Sequence, residues 1–384
     1  MLSKEANVRL TQVAAGTPAG ELLRRYWQPL CGTAELTPEA PKMRITILSE
    51  DVVVYRGEDG TYGCVAEKCT HRGCSLYYGF IEDGAIRCAY HGWKYAADGR
   101  VLEQPFEPDG STYKDRVRQQ AYPVEELGGL LFAYMGPQPA PLLPRWDVLV
   151  RQDGNRRIVM QDTLRCNWLQ AQENTADTIH TYYLHGHMAK VQGRDTDATN
   201  FYFRPIVRYE FSYCEWGIDK TCWYAGDPPE EEVRPPLIFP NILRIPAGSE
   251  ETLHWRVPID ERQTRIFLMW FTPHEPGVMA PPQTAVPVVY LKPDRDASGE
   301  HIVETILQQD RMAWETQGEI FDRSEEHLGA SDEGIIMFRK LLDEQITVVE
   351  NGGEPLALVR DPEKNRIIEF ASSYNRLEKA GAAG

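Results

Sequence analysis

Cys69-Thr70-His71-Arg72-Gly73 and Cys88-Ala89-Tyr90-His91-Gly92-Trp93-Lys94 decide how this chain is read. Sixteen residues separate His71 from Cys88. Each stretch pairs one thiol with one imidazole, first as C-x-H and then as C-x2-H. Two Cys and two His in this arrangement suit a 2Fe–2S cluster in which thiolates hold one iron and neutral imidazoles the other. Zinc takes Cys2His2 sets too, but its short motifs usually pair Cys with Cys and His with His.

The flanks separate the two metals. His71-Arg72-Gly73 and His91-Gly92-Trp93-Lys94 resemble the loops of Rieske proteins, whose glycines turn the backbone tightly and aim N–H groups at sulfur. The resemblance implies cluster binding by Cys69, His71, Cys88 and His91, with both histidines on the outer iron. In respiratory Rieske proteins each loop carries one more cysteine, and the two form a disulfide. Cys74 fills the first of those places but Tyr90 fills the second, so that bridge cannot form. The implied cluster is the low-potential kind of ring-hydroxylating oxygenases, with Cys74 a small buried residue.

At 384 residues the chain has length for two domains, each with its own core. A formal charge of −16 argues against a nucleic-acid partner, which is held by Lys and Arg. No apolar run approaches a membrane span, and MLSKEANVRL lacks the apolar centre of a signal peptide. The eight cysteines are too sparse for a disulfide scaffold, and a thiolate-bound cluster suits a reducing compartment. The expectation is a cytoplasmic protein with no membrane partner.

Texture changes along the chain give the organisation. Residues 1–42 read as a helical segment packing on the C-terminal domain, with Thr17-Pro18 starting a helix that runs through Trp27. Residues 43–136 read as all-β, with runs at Arg44–Leu48, Asp51–Arg56, Tyr62–Ala66 and Leu130–Met135. Asp59-Gly60, Asp83-Gly84 and Asp98-Gly99 supply turns there. Pro137–Pro144 reads as the domain linker. Residues 145–384 read as α+β, an antiparallel sheet of helix-grip type. Its expected strands are Phe203–Cys214, Leu253–Ile259, Thr264–Phe271 and Val286–Leu291. Helices are expected at 167–186, 300–318 and 332–349, with a frayed end at Glu378–Gly384.

A cluster that only ferries electrons needs no companion of this size, so the second domain is expected to hold chemistry. Two His plus one carboxylate make the facial triad of non-heme Fe(II) oxygenases. His180 and His185 supply the pair. On an ideal helix five residues turn about 140° past a full circle, so a shared iron requires the helix to loosen before Gly186. His187 is left as a supporting or surface residue. For the carboxylate, Val303, Ile306, Leu307, Asp310 and Trp314 fall on one helical stripe, which puts Asp310 on an inward face. A buried carboxylate is costly unless metal-bound or paired, and a buried salt bridge is the competing role. Glu304 and Glu315 fall off the stripe and read as solvated.

Asn174-x2-Asp177-x2-His180-x4-His185, following such a cluster domain, resembles the oxygenase (alpha) subunits of Rieske non-heme iron oxygenases, in particular the phthalate dioxygenase-like group. The likeness runs over nearly the whole chain, including Leu22–Trp27 and Asp322–Gly329. It implies a 2Fe–2S Rieske cluster and a mononuclear non-heme Fe(II) held by His180, His185 and Asp310. It also implies an NAD(P)H-dependent flavin and iron–sulfur reductase as partner, and O2 and a small aromatic compound as substrates. The reaction would be hydroxylation, dihydroxylation or oxidative demethylation. A homotrimer follows from transfer between neighbouring subunits, with Asp177 bridging one subunit's His91 to the next subunit's His180 and Asn174 supporting that junction. Arg204, Arg208 and Arg244 are candidates to meet an aromatic carboxylate, although strand arginines more often face solvent. Trp216, Trp223, Tyr224 and Phe239 are candidates to line a pocket or to fill a core, with core the expectation. A non-aromatic substrate is one alternative. A pure electron carrier is the other, weighed down by the intact His180, His185 and Asp310.

Overall fold

The computed structural model describes residues 2–194, 203–226, 236–247, 250–275, 278, 281 and 283–370, so Glu378–Gly384 lies outside the described residues. Two helices open the chain, α1 (Lys4–Thr11) and α2 (Pro18–Leu23). Ser3 Oγ caps α1 by accepting from Ala6 N at 3.1 Å. The expected helix ends before Trp27, because Trp27–Gly32 is a buried strand, β1. Pro29 has no N–H to give a helix interior, and Leu130–Tyr134 is available as an antiparallel partner. Both helices lean on the C-terminal half, where Arg9 pairs with Asp343 and Glu350.

An all-β region follows. Strands β2 (Lys42–Ile47), β3 (Glu50–Arg56) and β4 (Tyr62–Ala66) form antiparallel neighbours. A second sheet runs β5 (Phe80–Glu82), β6 (Ala85–Arg87), β7 (Lys94–Tyr95) and β8 (Val101–Glu103). β9 (Ala121–Tyr122) completes the first sheet, while β10 (Val124–Leu127) and β11 (Leu130–Tyr134) join β1 in a third. The three Asp-Gly pairs sit at turns, with glycine φ of +83° at Gly60, +70° at Gly84 and +83° at Gly99.

Pro137–Pro144 is irregular backbone, but it is docked rather than free. Leu143 is buried, Leu142 bridges to Val359, and Trp27 Nε1 donates to Pro141 O at 2.9 Å. The remaining elements are α3 (Asp147–Val150), β12 (Gly154–Met160), α4 (Trp168–Ala176), α5 (Met188–Val191), β13 (Ile206–Cys214), β14 (Gly217–Tyr224), β15 (Leu237–Ile238), β16 (Ile242–Ala247), β17 (Glu250–Pro258), β18 (Thr264–Pro273), β19 (Val288–Tyr290), α6 (Ile306–Glu315) and α7 (Glu333–Glu350). One eight-stranded sheet runs β13-β14-β15-β16-β17-β18-β12-β19. Its neighbours are antiparallel except β12 with β19. The fold is therefore α+β with an antiparallel-dominated sheet.

Strands β12, β14, β15 and β16 escaped the sequence reading. β12 and β14 carry charges, Arg156 and Arg157 or Asp219 and Lys220, that break the apolar alternation on which such a reading depends. The segment expected as one helix over 167–186 is broken after α4. The 300–318 segment shortens to α6, because Thr305 and Gln308 form a capping box that fixes its start at Ile306. α7 meets the end of α4 closely enough that a Cβ on Gly334 would lie 2.2 Å from Ala176 O.

The apolar residues divide into clusters that explain this architecture. One small core, with Val53, Tyr55, Val65, Trp93 and Tyr95, underlies the cysteine loops. The large core runs without a break from α2 and β1 through β11 into the eight-stranded sheet and α7. Phe132 and Trp255, rings 5.7 Å apart, mark where the β region and the sheet are fused. Burying side chains of this size contributes about 1.5–3 kcal/mol each.

Candidate metal centres

The two cysteine loops are built alike. Gly73 N donates to Cys69 O at 2.8 Å and Gly92 N donates to Cys88 O at 3.0 Å. Both glycines have positive φ, +74° and +73°, a conformation that side chains with a Cβ disfavour. Cys69 and Cys88 are 2% exposed, whereas His71 and His91 are half-buried at the tips. The two imidazoles meet edge to face at 4.7 Å, and His71 stacks on Trp93 at 4.4 Å. Burial, and His91 beside it, hold the His71 imidazole below its usual value, toward the neutral form that ligation requires. Tyr95 Oη lies 2.9 Å from Cys69 Sγ, placed to donate to a thiolate. Cys74 is only partly buried, and the exposed Tyr90 ring lies 3.7 Å from that of His91.

A zinc ion would draw its donor atoms together around one centre. Among the described residues, the group of three or more His, Cys, Asp or Glu donors lying within 4.8 Å of one another is His180, His185 and Asp310. Cys69, His71, Cys88 and His91 form no such group, as a set spread over two irons should not.

The second centre is built by a helix that stops and restarts. α4 closes with Asp177 N donating to Asn174 O at 3.1 Å, and Asp177 itself is extended. Its Oδ1 then accepts from Ile179 N at 2.9 Å, which caps the next turn. Thr181–His187 winds as a π-helix, whose i→i+5 bonding stacks residues five apart. That is the loosening the His180–His185 spacing required. Their rings stand 5.2 Å apart, while His187 is exposed.

Asp310 arrives from α6 on the face it shares with Leu307 and Trp314. Its Oδ1 lies 3.4 Å from His185 Nε2 and 3.7 Å from His180 Nε2. Asn174 Nδ2 reaches the same oxygen at 3.4 Å. Gln309 Oε1, 2.9 Å from His185 Nδ1, is placed to accept a hydrogen bond from Nδ1–H and leave Nε2 bare for a metal. On His180 the matching role falls to Asp177, whose Oδ2 is 3.5 Å from Nδ1. Burial pushes the Asp177 carboxyl up, but His180 and the backbone N–H groups of Ile179 and His180 bring it below the usual range. The three donors thus fit one iron with an open side. Gln309 had no signal in the sequence beyond its place beside Asp310.

That open side faces a cavity of about 440 Å3, within the usual range for small-molecule sites. Alternation on the sheet supplies one wall, with Lys220, Cys222 and Tyr224 from β14 and Thr252, His254 and Arg256 from β17. Leu243, Ile245, Ile266, Trp270, Leu307 and Trp314 make the rest largely apolar. Tyr224, expected as core, lines this cavity, whereas Phe239 is core between Tyr26 and Phe338. None of the three arginines singled out from the sequence lines it. Arg244 is buried against Asp147 and Glu251. Arg208 pairs with Glu210 and covers Trp223 on the outer surface, and Arg204 lies over the Tyr224 ring. Glu315, expected in solvent, is buried with Arg295 and Arg311.

Residues 26–120 match the Rieske [2Fe-2S] domain, and residues 294–374 match a domain described as LigXa C-terminal domain like. The chain is 39% identical to the 5,5'-dehydrodivanillate O-demethylase oxygenase subunit of a Sphingobium species, over 97% of this chain and 87% of that one. It is 37% identical to phenoxybenzoate dioxygenase subunit alpha of Ectopseudomonas oleovorans, over 98% and 93%. The chain belongs to the Rieske non-heme iron oxygenases. Like them it is the oxygenase subunit of an oxidoreductase, carrying a Rieske 2Fe–2S cluster and a mononuclear non-heme iron, and it depends on a reductase or ferredoxin for electrons. The fold agrees with a solved Rieske terminal oxygenase, that of carbazole 1,9a-dioxygenase from Nocardioides aromaticivorans. The two superpose with a TM-score of 0.63 at 19% identity, covering 89% of this chain and 96% of that one. No helix among the described residues is long and apolar enough to cross a membrane.

Proposed function

We propose that this Rieske oxygenase hydroxylates or oxidatively demethylates an aromatic substrate held in the cavity beside His180, His185 and Asp310. The observation that carries this reading is the His/His/Asp set opening on a largely apolar space. Two relatives named for O-demethylation of dehydrodivanillate and dioxygenation of phenoxybenzoate support the aromatic class. Bound there, the iron supplies O2 activation at its open positions. The protein's part is positional. Gln309 and Asp177 orient the two imidazoles, Asn174 steadies the Asp310 carboxylate, and the aliphatic and indole walls exclude water from an arene.

Cys69, His71, Cys88 and His91 would hold the cluster, with the half-exposed imidazoles as the exit for electrons. Asp177 keeps 26% of its side chain exposed, so the partner subunit's His91 can approach it in a homotrimer. The electron donor in this reading is an NAD(P)H-dependent flavin and iron–sulfur reductase, and the compartment is the cytoplasm. Product analysis of the oxygenase reconstituted with such a reductase tests the whole. Aryl methyl ethers should yield phenols with formaldehyde, or aromatic acids their hydroxylated products. Turnover confined to non-aromatic compounds would refute it.

A further inference from the structure

Arg256 and Lys220 are the anomaly in the cavity. Arg256 is 2% exposed and Lys220 5%, and neither forms an ion pair among the described residues. Arg256 Nη1 hydrogen-bonds only within its own strand, to His254 O at 3.4 Å, its Nε has no hydrogen-bond partner, and the guanidinium lies 5.9 Å over the Trp314 ring. Among the described residues, Lys220 Nζ donates only to Thr175 O. A guanidinium cannot shed its proton, and a buried charge without a partner costs several kcal/mol. Burial pulls the Lys220 ammonium down to about 8 and the Arg256 guanidinium down to about 10, and the more distant carboxylates of Asp177 and Asp310 only partly oppose it. The two come from β14 and β17 on the same wall, and the rest of the lining is mainly apolar.

We propose that Arg256 and Lys220 anchor a carboxylate carried by the aromatic substrate, with the arene lying against Trp270, Trp314 and the aliphatic wall. A planar two-oxygen acceptor matches the fork of Arg256. Lys220 adds the ammonium protons that Thr175 leaves unused. Anchored on the sheet, the acid group fixes which part of the ring faces His180, His185 and Asp310. This rests on the reading of that cavity as the substrate site.

The test uses the iron-loaded oxygenase and four probes, benzoate, 3-methoxybenzoate, 3-phenoxybenzoate and biphenyl-3-carboxylate, each beside its primary amide and the matching phenol. Affinity is measured by calorimetry, and nitric oxide on the mononuclear iron serves as a spin probe of proximity. Acids should bind roughly tenfold to a hundredfold more tightly than their amides, the span expected of charged hydrogen bonds. Arg256→Gln should bring that ratio near one while leaving amide affinity in place, Lys220→Met should reduce it, and Arg256→Lys should keep part of it. Mononuclear iron content and the nitric oxide signal report whether each variant keeps the iron region folded. A wild-type ratio near one, a preference for the phenols, or binding of no acid at all would overturn the anchor, even if Arg256→Gln failed to fold. Binding that left the iron signal unchanged would instead overturn the site reading, and the anchor with it.

Discussion

The two metal regions are built on opposite plans. At the cluster loops each Cys lies within three residues of its His, two backbone hydrogen bonds close each loop, and the histidines point outward. At the iron site, His185 and Asp310 come from distant parts of the chain, and their donor atoms face inward. Local backbone geometry makes the first, so it depends on little beyond its small core. The second exists only when α4, the π-helix, α6 and the sheet have all docked.

The sharpest way to break this contrast is Asp310→Ala. It should reduce turnover to background and iron from about three to about two per chain, leaving the cluster absorbance unchanged. Loss of both centres together would mean that the regions do not fold apart. Next in size is Glu173→Gln. Glu173 lies between Arg323 at 2.7 Å and Arg339 at 2.5 Å, and its loss strips the buried Arg323 guanidinium of its paired carboxylate while Arg339 keeps Glu326, at about 3–5 kcal/mol. Denaturant unfolding should show the iron region destabilised while the cluster chromophore bleaches later. The same network sets a pH dependence. Burial pushes the Glu173 carboxyl up, but the two arginines hold it below 4.5. A lowered value in the folded state means stability that is present above 4.5 and lost as pH falls below it.

Asp177→Asn keeps shape and removes charge at the proposed junction. Cluster-to-iron electron transfer should slow about 10–100-fold, with iron content almost unchanged. A wild-type rate in single turnover of the pre-reduced variant would remove Asp177 from the route. The smallest effect belongs to Tyr95→Phe, which deletes the donor beside Cys69 Sγ. The reduced cluster carries more negative charge and gains more from that hydrogen bond. Its loss should lower the potential by tens of millivolts, against about 59 mV per tenfold for one electron. An unchanged redox titration would show that the hydroxyl points elsewhere.

What was legible in the sequence follows the same division. The cluster loops could be read because their residues neighbour one another in the chain, whereas β5 to β8 beside them, two or three residues each, are too short to show a period. Asp310 could be read from helical periodicity, even though Thr305 starts the helix later than the stripe suggested. Lys220 and Arg256 could not. Their strands alternate toward a cavity, and a charge facing an internal cavity looks in sequence like a charge facing water. Glu315 misled for a related reason, since its partners Arg295 and Arg311 satisfy it inside the protein. Arg244 was a candidate substrate contact with solvent exposure the commoner alternative, and it is neither, since Asp147 and Glu251 occupy it inside the protein.

The wide turn at Thr181–His187 also has a consequence in time. Its i→i+5 bonds are a rare alternative to the tighter bonding of an ordinary helix, and only a metal shared by His180 and His185 rewards holding it open. Amide protons between Asp177 and His187 should therefore exchange with solvent quickly in iron-stripped protein and slowly once iron is restored, while those of α7 keep one rate throughout. Iron loading would then act as a clasp, set late in the maturation of an otherwise finished fold.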